Sequence, residues 1–185
     1  MRSVKEKTER ALGVKLFLKA DRCNSPKCVM IRRPYRPGQH GERRMNKTEY
    51  GKQLQEKQKV QIYFGLNNKQ MRRLFSVPSP EKIRSTLEHR LDQVVYALGF
   101  GRSPRVSRQL ISHGHILVNG RRVTVSSCSV RIGDVISIRP ESKGLKVFED
   151  LTVRLKQHEP PAWLARDASE YSGRCTAAST SHHTT

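Results

Sequence analysis

Between Ser79 and Ile138 the chain sets helix starts, helix stops and tight-turn signals so close together that few folds can satisfy them all. Ser79 and Pro80 open an apolar stripe of Ile83, Leu87, Leu91, Val94, Val95 and Leu98. These recur three and four apart, so they share one face of a single predicted helix. A serine oxygen can cap the first turn, and proline suits the first helical position because its missing N–H would be unpaired there anyway. Gly99 supplies the stop. The pattern repeats with Ser103-Pro104, the inward residues Val106, Leu110 and Ile111, and Gly114. Arg105, Arg108 and Ser112 then point away from that apolar face. Asn119-Gly120 stands between two apolar runs, the strongest short-range hairpin signal, since a type I′ turn needs positive φ at both central residues. Ile116 and Val118 are expected to face the core with Val123 and Val125, while Arg121 and Arg122 leave the turn as a cationic pair. Gly133-Asp134 turns the chain into another strand, Val135 to Ile138. The implied class is α+β: a module over 79–140 of two helices packed on a short antiparallel sheet, with Arg105, Arg108, Arg121 and Arg122 near one side.

Charge says what such a module would meet. The 185 residues carry 36 Lys plus Arg against 16 Asp plus Glu, a net charge of +20. So large an excess favours a polyanionic partner, nucleic acid before acidic membrane. Only 6% of residues are aromatic, so binding should rest on phosphates and shape more than on base stacking. No apolar run approaches the roughly 20 residues a membrane span needs, and the charged start is unlike a signal peptide. A soluble intracellular protein without a membrane partner is expected. Four cysteines, widely scattered, make no disulfide scaffold.

Most of the charge lies early. Residues 1–75 hold 20 Lys plus Arg and 6 acids. Regular apolar patterning is poor up to about residue 47, and the run Ile31-Arg-Arg-Pro-Tyr-Arg-Pro-Gly-Gln-His-Gly41 cannot be helical. It reads either as a floppy basic loop or as an extended segment that orders only against RNA. From Thr48, a candidate cap, to Phe75 the pattern turns helical, with a break at Gly65 and a restart at Asn67 or Asn68. These helices have so few apolar residues that they must face solvent or lie on another molecule. A basic, helical N-terminal domain over 1–78 is the result.

Specific motifs now carry a resemblance. Leu87-Glu-His-Arg-Leu-Asp-Gln-Val-Val-Tyr96 with Leu98-Gly-Phe100, then Arg108-Gln-Leu-Ile111 and His113-Gly-His-Ile-Leu-Val-Asn-Gly120, resemble the S-four RNA-binding domain. Ala97 and Gly101-Arg102 depart modestly from its pattern. Ahead of them, Arg22-Cys-Asn-Ser-Pro-Lys-Cys28, Arg33-Pro-Tyr-Arg-Pro-Gly-Gln-His-Gly41, Glu56-Lys-Gln-Lys59 and Lys69-Gln-Met-Arg-Arg73 are similar to the N-terminal domain of the bacterial small-subunit ribosomal protein S-four family. The likeness runs in the family's order over roughly residues 13 to 165. It implies a structural constituent of the small ribosomal subunit that binds small-subunit rRNA directly, nucleates assembly of its 5′ domain and regulates its own mRNA in some members. It also implies a place beside small-subunit proteins three and five, near the path by which mRNA enters. The implied location is the cytoplasmic ribosome, with an organellar ribosome as the alternative.

The rRNA-binding side chains expected on this reading are Arg32, Arg33, Tyr35 and Arg36 in the Pro/Gly-rich run, and Lys57, Lys59, Arg72 and Arg73 on the polar helices. In the module they are Arg90, Arg102, Ser103, Arg105, Arg108, Gln109, His113, His115, Asn119, Arg121 and Arg122. Ser103 and Pro104 would start a helix whose N–H groups form an anion site ringed by Arg102, Arg105 and Arg108. Since neither Arg105 nor Arg108 lies on the apolar stripe, replacing both should weaken RNA binding and leave folding untouched.

Zinc is not expected. Cys23 and Cys28 lie five apart, and a structural site needs four N or S ligands. Family members with an upstream Cys-x-x-Cys have Glu6-Lys-Thr-Glu9 as its counterpart here; a Cys2Glu2 set would be unusual, and His40 would need the Pro37-Gly38 turn to fold back. The two cysteines read as free, partly buried thiols. Pro160-Pro161-Ala162-Trp163-Leu164 reads as an extended piece with one aromatic anchor, within a C-terminal extension over 141–172. Residues 173–185 read as a disordered tail, and the family's final strand is not found. The rival reading is an RNA-modifying enzyme, such as a pseudouridine synthase, or a ribosome-associated factor with the same module. Arg90-Leu-Asp92 superficially matches such enzymes' motif, but Asp92 reads as a surface residue or a charge partner of Arg90, and no catalytic domain or nucleotide loop accompanies it. No enzyme is expected.

Overall fold

The computed structural model describes residues 5–43, 46–167 and 171–177. Two compact units divide the chain, Met1–Leu74 and Phe75–Thr185.

The first unit is helical. α1 (Lys5–Leu12) packs on α3 (Val29–Arg32), with the short α2 (Ala20–Cys23) between them in sequence, and α4 (Glu49–Tyr63) also touches α1. Thr48 caps α4, its side-chain oxygen accepting from the Gly51 N–H at 3.2 Å. No residue of α4 is buried, as a helix with so few apolar positions requires. α5 (Asn68–Phe75) follows the break at Gly65, and Asn67 and Gln70 close its start reciprocally, each side-chain oxygen taking the other's backbone N–H. The apolar core here is small: Leu12, Leu16 and Leu18, with Val14 and Ile62 against them.

The second unit is α+β. α6 (Pro80–Glu88), α7 (Leu91–Ala97), α8 (Pro104–Ser112) and α9 (Leu151–Gln157) accompany an antiparallel sheet of five strands. The strands are β1 (Ile116–Val118), β2 (Arg121–Arg122), β3 (Val135–Ile138), β4 (Leu164–Asp167) and β5 (Ser172–Cys175), in the spatial order β2-β1-β3-β5-β4. Asn119 and Gly120 make the two-residue turn between β1 and β2 with φ of 50° and 75°, as the type I′ geometry demands. The core runs from Leu91, Val94, Val95, Leu98 and Phe100 through Leu110, Ile111, Ile116, Ile136 and Ile138 to Phe148, Leu151, Leu155 and Leu164.

Four expectations need correction. The stripe from Ile83 to Leu98 is two helices, not one: Arg90 leaves the helical region (ψ 138°). A neighbouring loop takes the backbone there: Leu91 N–H donates to Cys128 O at 2.8 Å, Asp92 N–H to Ser126 O, and Val130 N–H to His89 O. Ser79 makes no side-chain cap bond. Val125 is exposed, because β2 ends at Arg122 and the alternation that would turn Val125 inward ends with it. The chain also does return to the sheet after Trp163. β5 pairs with β3 at Val135–Ser137 and with the whole of β4, so strand structure reaches Cys175. Gly173 is needed there, since a Cβ would stand 2.5 Å from the Leu98 side chain. The rest of the expected tail, residues 178–185, lies outside the described residues.

Candidate nucleic-acid interface

In the first unit the Pro/Gly-rich run is held by its own protein. Arg10, from α1, donates from Nε to Tyr35 O at 2.9 Å and from Nη2 to Arg36 O at 3.2 Å, and its guanidinium stacks 4.9 Å over the Tyr35 ring. Gly41 closes against the same segment so tightly that a Cβ would overlap Arg36 O. The run is therefore held by the protein itself, which replaces both the floppy-loop reading and that of a segment ordered only against RNA. Arg32, Arg33 and Arg36 are left exposed, and Tyr35 is half-buried under Arg10. Lys57, Arg72 and Arg73 are exposed on α4 and α5, while Lys59 is half-buried and paired with Glu56.

Glu9 organises the rest of this unit. Only 2% exposed, its Oε1 accepts the N–H groups of Leu16 and Leu18, both at 3.1 Å, and Cys23 Sγ lies 3.8 Å from its Oε2. Glu6 is tied to Lys19 and Arg22. Cys23 and Cys28 are buried, more completely than expected. Burial pushes the Cys23 thiol up, and the negative charge of Glu9 and Cys28 adds to this against a lowering bond from the Lys19 backbone. These residues do not fit a zinc ion: both carboxylates already serve protein donors, so two thiols remain of a four-ligand set. Among the described residues no group of three or more His, Cys, Asp or Glu is placed to hold a metal.

In the second unit the expected side chains separate into buried struts and exposed cations. Asp92 is wholly buried in the first turn of α7, not on the surface. Arg90 grips it with Nε on Oδ1 at 3.1 Å and Nη2 on Oδ2 at 3.0 Å. Arg108 reaches across from α8 with Nε at 3.1 Å and Nη2 at 2.6 Å from Oδ2. One carboxylate thus ties the two helices together, and most of each guanidinium is used inside the protein. Arg108 is consequently a structural residue, and the expectation that its loss spares folding is corrected.

Ser103 is also wholly buried. Its hydroxyl oxygen accepts from Val106 N–H at 3.3 Å and its carbonyl from the Ser107 hydroxyl, so its side chain caps α8 from inside the protein. Arg102 pairs with Asp150. Asn119 uses its side chain internally, donating to Asp134 Oδ1 at 2.8 Å and accepting from Val135 N–H at 2.9 Å.

What remains outward is basic. Arg121 and Arg122 are exposed on β2, with Arg122 Nη2 also donating to His113 O. His113 is exposed, its ring 5.8 Å from that of His115. His115 is half-buried, bonded through Nδ1 to Ser142 Oγ at 2.9 Å, and its pKa is lowered first by burial and then by His113, Arg122 and Arg139. Gln109 is exposed, and Arg105 is half-exposed without a partner among the described residues. Sequence reasoning missed Arg10, because nothing marks a helix-borne arginine as a clamp for a loop 25 residues away. It also missed Arg139, which sits beside His115 only through the β1–β3 pairing.

A buried-strut α+β module with a basic outer surface, joined in one chain to a basic helical unit, defines a class of nucleic-acid-binding protein, and comparison with known proteins agrees. Residues 1–94 match the family model described as ribosomal protein S4/S9 N-terminal domain, and residues 89–136 match the S4 domain. The small ribosomal subunit protein uS4 of Pelotomaculum thermopropionicum is 45% identical over 174 residues, covering 91% of this chain and 84% of that protein. The uS4 proteins of Thermus thermophilus and Halothermothrix orenii are each 44% identical, over 172 and 174 residues, covering 89% and 91% of this chain and 82% and 84% of their own lengths. The chain belongs to the uS4 ribosomal protein family, which is not a family of enzymes. No helix among the described residues is long and apolar enough to cross a membrane.

Proposed function

We propose that this protein is a structural constituent of the small ribosomal subunit that binds small-subunit rRNA directly, through phosphate contacts made by both units. The observation that carries the reading is the number of outward cations left without a protein partner among the described residues. Arg32, Arg33, Lys57 and Arg72 in the first unit, with Arg105 and Arg121 in the second, have none. Arginine forks suit phosphate oxygens, and partnerless ones break no protein bond in turning toward RNA. Arg36, Arg73, Arg122, Gln109 and His113 complete the proposed surface. Arg90, Arg102, Arg108, Ser103 and Asn119 serve it from behind by fixing the backbone that presents it. Early binding that nucleates the 5′ domain, a position near the mRNA entrance beside small-subunit proteins three and five, and residence on a cytoplasmic or organellar ribosome are the finer parts of the proposal. A ribosome-associated factor is the competing reading.

Co-sedimentation separates them. The protein should stay with small subunits in stoichiometric amount through a high-salt wash, whereas an associated factor would be released. Affinity for isolated small-subunit rRNA should fall by roughly a thousandfold or more between about 50 and 200 mM salt if six or more phosphates are contacted. A nearly flat salt dependence overturns the phosphate reading.

A further inference from the structure

The first unit contains a cleft of about 310 Å³ lined by Glu6, Lys7, Arg10, Arg22, Val29, Arg32 and Arg33. Three helices build it. Lys7 and Arg10 stand three apart on α1, Arg22 comes from α2, and Val29, Arg32 and the adjoining Arg33 from α3. Among the described residues, five cationic side chains thus converge on one hollow against a single acid. That acid is already committed, since Glu6 Oε1 lies 3.0 Å from Arg22 Nη1 and 3.4 Å from Lys19 Nζ. Arg10 is likewise held by the carbonyls of Tyr35 and Arg36. Among the described residues, Lys7, Arg32 and Arg33 have no partner.

Convergence of five cations on one already paired acid is unfavourable for the protein alone, so the cleft suits an anion. None of the described residues that line it is aromatic, so no ring there offers a stacking platform and recognition rests on charge. Its volume lies at the low end for ligand sites, enough for a short run of backbone and too little for a duplex. We propose that this cleft between α1, α2 and α3 is a dedicated seat for the phosphates of a single-stranded stretch of rRNA, with Lys7 and Arg33 as its mobile contacts and Arg10 as its fixed wall. The inference rests on the rRNA-binding reading and adds to it a site that includes Lys7, Arg10 and Arg22. Arg10 has a double place in it, because the clamp on Tyr35 and Arg36 also fixes the rim that carries Arg33.

The test uses the full chain with Lys7→Gln and Arg33→Gln together, which keep much of each side-chain stem and remove both charges. Both residues are exposed, so the thermal melt should match the wild type. Two probes are needed: inorganic tripolyphosphate, followed by amide NMR, and small-subunit rRNA, titrated at several salt concentrations. Tripolyphosphate should shift the amides of residues 6–10 and 29–33 in the wild type and not in the variant. The slope of log affinity against log salt should become shallower by about 1–2, near 0.7 for each single-strand phosphate that the variant no longer neutralises. Undiminished slope in a variant whose wild type binds rRNA would overturn the cleft and leave the proposed function standing. Tripolyphosphate shifts in a wild type with no rRNA affinity would instead overturn both the proposed function and RNA as the source of the phosphates.

Discussion

The two units are stabilised by different physics. The second carries a continuous core from Leu91 to Cys175, in which Leu98, Phe100, Ile111, Ile116 and Ile136 are fully buried. The first clusters three buried leucines, buries Cys23, Cys28, Leu66 and Met71 outside that cluster, and adds polar struts. Glu9 ties two backbone N–H groups, Arg10 ties two carbonyls, and Gln55 Nε2 donates to the Leu12 carbonyl. A segment that must show cations almost everywhere has few positions left for apolar side chains, so it draws its order from directed bonds. Such bonds give shape with little burial, and they leave the arginines of the 32–36 run facing outward.

The contrast can be broken first in the core of the second unit. Phe100→Ala should cost about 3–5 kcal/mol, the range for emptying a buried aromatic site. Hydrogen exchange read peptide by peptide should show protection falling through the second unit while the first keeps its own. Equal losses in both would mean the two are not separately stabilised.

Next comes the strut of the first unit. Glu9→Ala strands two buried N–H groups and should cost about 2–4 kcal/mol, from the lower part of the roughly 1–3 that each unpaired donor costs. Glu9→Gln keeps a carbonyl oxygen for both donors and should cost clearly less. A melt indifferent to Glu9→Ala would show that the buried apolar side chains hold this unit without the strut.

The third effect separates two arginines of one helix. Arg108→Ala removes a charged bond to the buried Asp92 and should cost about 1.5–3 kcal/mol of stability. Arg105→Ala should leave the melt unchanged and weaken rRNA binding by about 1–3 kcal/mol. Reversed results, read by parallel melts and filter-binding titrations, would exchange the roles assigned to them.

The smallest effect is a pH dependence. His115 has its pKa below the ordinary 6.5, chiefly through burial. As pH falls, the unfolded chain takes up this proton first and the folded chain only lower down. Stability should therefore decline below about pH 6.5 and be level above it. His115→Gln should flatten that decline, seen as a smaller drop in Tm between about pH 7.5 and 5.5, and an unchanged drop would assign the effect elsewhere.

Much of this was legible in the residues themselves. Asn119-Gly120 had one short-range solution, and so did the Ser103-Pro104 start and the Thr48 cap, because each depends on φ, a missing N–H or an oxygen within a few residues. The RNA-binding class followed from a charge of +20 and the ordered motifs. Other features depended on partners far along the chain. The break at Arg90 exists because residues 126–130 supply bonds that the helix would otherwise make for itself. Strand β5 contains serine, glycine, arginine and cysteine, which carry little strand signal; it forms because β3 and β4 offer it ladders and Leu98 accepts a glycine beneath it. Arg108 and Arg105 look alike in sequence, three apart and both off the apolar stripe of one helix. Only the approach of α7 to α8, with Asp92 sealed between them, made one a strut and left the other without a partner among the described residues. Local geometry and total charge were fixed by composition and order, whereas the division of arginines between structure and binding depended on which carboxylates folding buried beside them.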